Sequence, residues 1–61
     1  MSLDRSYFLA REIAHLERLC ADLPKEGRLW CFLAHARHEW SLGQMDVCAN
    51  YLQRVKKGLS V

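Results

Sequence analysis

Residues 29–55 read LWCFLAHARHEWSLGQMDVCANYLQRV, and the spacing of their apolar side chains decides the fold. Leu29, Leu33, Ala36 and Trp40 recur at steps of 4, 3 and 4. A helix turns about 100° per residue, so these four share one face. Phe32 flanks that stripe on one side and Trp30 on the other. Met45, Cys48, Leu52 and Val55 then repeat the pattern, with Tyr51 alongside and Leu59 as an extension. Between the two stripes stands Gly43, which can take the left-handed conformation that a helix end favours. The reading is two helices, about 25–41 and 44–57, with the first opening at Lys25 or Arg28. Arg54, Lys56 and Lys57 sit in the last turn of the later helix, where positive charge meets the negative end of the helix dipole. Gly58 is expected to end it.

Upstream, Leu9, Ile13, Leu16, Cys20 and Leu23 repeat at 4, 3, 4 and 3. They predict a further amphipathic helix over about 3–22, with Phe8 and Leu19 widening its apolar stripe. Ser2 or Asp4 can cap it, since a short side-chain oxygen accepts from the free amides of the opening turn. Pro24 stops it, because the residue before a proline is pushed out of helical geometry. The connection through Asp22–Gly27 is short, so the first two helices should pack antiparallel. No segment alternates as a half-buried strand does. The expected fold is therefore all-α, a single domain over 1–61, built as an antiparallel helical hairpin with a third helix.

The chain has 61 residues, and domains this small are marginal without a staple. Three cysteines, Cys20, Cys31 and Cys48, are an odd number, and the opening MSLDRSYF lacks a basic stretch followed by a long apolar one. Disulfides and secretion are not expected, and reduced cysteines in a cytoplasmic protein are. The longest apolar run, Leu29–Ala34, is six residues, too short to span a bilayer.

Cys31, His35 and His38 share one helix face, which Cys48, Cys20 or His15 could in principle complete as a zinc site. Small zinc domains take ligands as close pairs from two segments, and no such pair exists here, so neither metal nor cofactor is expected. A cysteine–histidine catalytic pair needs a base, an orienting group and an oxyanion site around one cleft. A helical unit of this size offers none, and the chain is not expected to be an enzyme.

Nine Lys and Arg face seven Asp and Glu, and Asp4, Glu12, Glu17, Asp22, Glu26 and Glu39 are interspersed among the bases. That pattern is a solvated surface rather than the clustered charge of a nucleic-acid binder. The stretch HEWSLGQMDVCANYLQRVKKG nevertheless resembles a helix-turn-helix. Leu42 before Gly43, with Ala49 and Leu52 after it, match positions which that motif keeps apolar. His38, Glu39 and Gln44 depart from it. The resemblance implies a DNA-binding regulator, the alternative reading of this chain.

Residues 22–57 also resemble a tetratricopeptide-type helical hairpin. Pro24 lies six residues before Trp30, as in that repeat. Leu33, Ala34 and Ala36 follow at its spacing, and Gly43, Cys48, Leu52 and Val55 match its second half. Two extra residues near Trp40–Ser41 and the absence of an aromatic at Arg37 depart from it. This resemblance implies an antiparallel helical pair used for protein contact. From Met1 to Val61 the chain is short, helical, rich in Trp and His and free of enzyme motifs. In this it looks like the small early-region accessory proteins of lambdoid temperate phages. That likeness implies a cytoplasmic regulator acting on a host protein during the lysis–lysogeny decision.

One three-helix layer has trouble covering so many large apolar residues. Tyr7, Phe8, Trp30, Phe32, Trp40, Leu42, Val47 and Tyr51 are the candidate partner or dimer surface. Aromatic anchors dominate such surfaces, and a twofold pair is the commonest assembly. The expectation is a homodimeric interaction module, an adaptor or regulator that also meets a second protein.

Overall fold

The computed structural model describes residues 4–60, which form three helices in the order α1 (Arg5–Leu19), α2 (Arg28–Ser41) and α3 (Met45–Leu59). Among the described residues there is no strand. The expected all-α fold is present. Asp4 caps α1, its carboxylate accepting from the amide of Tyr7 at 3.1 Å; Ser2, the other candidate cap, lies outside the described residues.

α1 ends at Leu19, earlier than the expected 22, and the reason sits in Cys20 and Pro24. In a continuing helix the Cys20 carbonyl would accept from the amide at position 24, and proline has none. It accepts instead from the amide of Leu23 at 2.9 Å and from the indole N–H of Trp30 at 2.9 Å. The chain then turns through Pro24–Gly27, the Gly27 amide donating to the Pro24 carbonyl at 3.0 Å, and α2 starts at Arg28. Leu23, read as part of the inner stripe, is exposed in this turn.

α2 closes as the glycine predicts. Gly43 has φ +82°, the Gln44 amide donates to the Glu39 carbonyl at 2.9 Å and the Gly43 amide to Trp40 at 3.1 Å. These are the two bonds of a left-handed glycine cap.

Gly58 does not end α3, which runs on to Leu59 and stops at Ser60 in the left-handed region, φ 61°. The glycine serves packing. A Cβ built at Gly58 would lie 2.5 Å from Cδ2 of Leu29, so its hydrogen lets the α2 start close against the α3 end. Helix propensity alone offers about 1 kcal/mol to Gly58→Ala. Moving the Leu29 methyl aside offsets that gain, and we expect Gly58→Ala to be near neutral in chemical denaturation. In a Leu29→Ala background the same change should gain about 1 kcal/mol. Equal effects in both backgrounds would show that the close approach has no energetic role.

Contacts at both ends define the topology. Trp30 of α2 reaches Cys20 beyond the end of α1, and Trp40 near the end of α2 donates to the Ser6 carbonyl near the start of α1 at 2.7 Å. α1 and α2 are therefore antiparallel. Leu29 against Gly58, with Phe32 and His35 against Tyr51, makes α2 and α3 antiparallel too. The core is Leu9, Ile13, Leu16 and Cys20 from the first helix and its cap, Leu33 and Ala36 from the second, and Cys48, Leu52 and Val55 from the third. It contains no buried polar or charged residue among the described ones. Apolar burial thus holds the unit together.

Candidate functional site

Among the described residues, three interhelix ion pairs border this core. Arg37 grips Glu17, its guanidinium donating to the two carboxylate oxygens at 2.8 and 2.9 Å. Lys56 pairs with Glu12, and Arg5 with Asp46. Such exposed pairs contribute little individually, about 0–1 kcal/mol. Their effect on the surface is larger, because they neutralise both glutamates of α1.

The candidate partner residues divide into two groups. Trp30, Trp40, Phe32 and Tyr51 are half-buried and pack against the core. Both tryptophans are committed within the chain, each indole N–H donating to a backbone carbonyl at one end of α1. Lys25 also lies over the Trp30 ring, 4.0 Å from its centroid. Phe32 and Tyr51 line the α2–α3 seam with their centroids 6.1 Å apart. His35 stacks on Tyr51 at 5.1 Å, and the Arg54 guanidinium lies 5.8 Å from Phe32 and 5.7 Å from Tyr51. A cation over an aromatic face is attracted by the ring quadrupole. Arg54 is thereby drawn onto this seam.

The second group is exposed. Phe8 is 64% accessible, Leu42 59% and Tyr7 43%, and Val47 is also exposed. Tyr7 accepts from Arg11 at 3.2 Å beneath its guanidinium. Leu19, 46% accessible, belongs with them. Phe8 and Leu19 therefore do not widen the core stripe as expected; they lie on the outer side of α1. Leu19 is the surface residue that sequence reasoning places wrongly, because on a helix wheel it adjoins the buried stripe; the register of Cys31, His35 and His38 already sets His35 on an outward face, and it is exposed there.

A shallow depression is lined by α1 alone, including Tyr7, Phe8, Arg11, His15 and Arg18. No group of three His, Cys, Asp or Glu among the described residues is placed to hold a metal. Cys31 is the exposed thiol, while burial pushes the thiols of Cys20 and Cys48 up. At Cys48 burial acts first; Glu12 and Glu39 push the same way, and Arg5 opposes them. No described helix is long and apolar enough to cross a membrane. Comparison with protein-family models, curated proteins and solved structures gives no match to this chain.

Proposed function

We propose that the chain is a non-enzymatic helical interaction module that works as a homodimer and regulates or adapts through protein contacts. The supporting observation is that Phe8 and Leu42, both large and apolar, stand more than half accessible outside a core that is already closed. Large apolar side chains of this kind, aromatic ones above all, are the anchors of protein contact surfaces. Sedimentation equilibrium at micromolar concentration should give about twice the 7.1 kDa chain mass. A single species of 7.1 kDa across the concentration range would overturn the homodimer.

The alternative, a DNA-binding helix-turn-helix, draws less support. In that motif the two helices cross at roughly 90–120°. Here α2 and α3 stay together to the far end, where Leu29 seats on Gly58. On α3, Asp46 is paired with Arg5, and Arg54 lies over the Phe32 and Tyr51 rings. A shift of duplex DNA that weakens steeply with added salt would reverse this preference.

A further inference from the structure

Arg5 and Arg37 meet carboxylates on other helices, whereas Arg54 meets aromatic rings. Among the described residues its guanidinium has neither an ion pair nor a hydrogen bond. Arg18 and Arg28 also lack a carboxylate, but no ring holds either of them. Phe32 and Tyr51 are half-buried and pack on the core, so the platform under Arg54 belongs to the helices themselves. A planar fork of five N–H donors is thus held on fixed rings, exposed, with its donors unspent.

The charges around this cluster are lopsided. Arg28 stands one turn before Phe32 on α2, and Lys57 one turn after Arg54 on α3, both exposed. Glu39, one turn past His35, is the acidic residue on the same side of α2, half-buried and in no ion pair. Glu12, Glu17 and Asp46, which could have balanced the excess, are paired with Lys56, Arg37 and Arg5. Asp22 and Glu26 stand in the turn before α2, exposed and also without an ion pair.

The chemistry that fits is a carboxylate. An arginine already ordered by two rings loses little further freedom on binding, and its fork matches a carboxylate through two parallel bonds. A nucleobase would need a free ring face, and Tyr51 already carries His35 and Arg54 over its ring. We propose that the Phe32–Tyr51–Arg54 cluster seats an acidic segment of a partner protein, one carboxylate taking the Arg54 fork while Arg28 and Lys57 draw the segment along the α2–α3 seam. Such a seat presupposes the protein-contact reading above, and not the homodimer.

A hexaglutamate peptide carrying a neutral dye serves as the probe, with hexalysine and hexathymidylate as the other arms, all followed by fluorescence anisotropy. Hexaglutamate should bind, hexalysine should not, and added salt should weaken the binding. Arg54→Gln should raise the dissociation constant about tenfold or more. Arg54→Lys, which keeps the charge and removes the fork, should weaken it too. Arg18→Gln removes an equal charge from the outer side of α1 and should leave it unchanged. Thermal melts of each variant check that the helices are intact. No binding of hexaglutamate, or equal losses from Arg54→Gln and Arg18→Gln, overturns the seat while the protein-contact reading stands. Tighter binding of hexathymidylate that depends on Arg54 overturns it in favour of nucleic acid. Sedimentation of the same samples separates the remaining case: a wild-type dimer that Arg54→Gln dissociates shows a second copy's own acids in the seat and overturns the proposal. A monomer that binds hexaglutamate through Arg54 supports the seat and removes the homodimer alone.

Discussion

Trp40→Ala should unfold the protein at ordinary temperatures. The ring packs against the core, and its N–H holds the Ser6 carbonyl at 2.7 Å, so one side chain fastens the end of α2 to the start of α1. Truncating a large aromatic of this kind costs about 3–5 kcal/mol. The whole stability of a chain this size is about 3–5 kcal/mol. Trp30→Ala should cost less, about 2 kcal/mol, because Trp30 sits at the stripe's edge, where truncation leaves a shallower void. It loses the bond to Cys20 and the stack beneath Lys25. Thermal melts of the two variants at one protein concentration decide the order. A lower melting temperature for Trp30→Ala would place the main α1–α2 clamp at the other end of the pair. Trp40→Phe separates ring from hydrogen bond and should retain most of the stability, losing about 1 kcal/mol.

Leu52→Ala is the second large effect. Leu52 is fully enclosed between the helices, and emptying its site should cost about 2–5 kcal/mol. The same chemical change at Leu42, exposed on the α2 cap, removes no packing within the chain and should move the stability of the dilute single chain by less than about 0.5 kcal/mol. Urea denaturation of both variants measures the contrast. Comparable losses at the two positions would mean that Leu42 is covered in solution by something beyond its own chain.

Much of this architecture is legible as periodicity. The central members of all three stripes, Ile13 and Leu16, Leu33 and Ala36, Leu52 and Val55, are buried where the spacing puts them. Gly43 is legible too, because a left-handed residue after a periodic run has few other uses. What escapes is anything set by a distant residue. The early end of α1 leaves the Cys20 carbonyl without its helical amide, and one of the two groups that satisfy it is an indole ten positions further on. Gly58 resembles a helix terminator until Leu29 is seen occupying the space its side chain would need. Leu19 resembles core because a wheel diagram gives the width of an apolar face but not how much of it a neighbour covers. For the candidate surface the difficulty was similar. A count of large apolar residues could not separate Trp30 and Trp40, drawn inward by their N–H groups, from Phe8 and Leu42, which are left outside.

The glycine cap at Gly43 also bears on how the chain comes together in time. Only Leu42–Gln44 separate α2 from α3, so closing that pair loses little loop entropy, and local closures of this kind are fast. α1 is made first by the ribosome, yet Leu9, Ile13 and Leu16 find their burial only against α2 and α3, which are made later. The α2–α3 hairpin is thus the pairing whose closure costs least entropy, and the apolar stripe of α1 is sheltered only where both of its partners are in place.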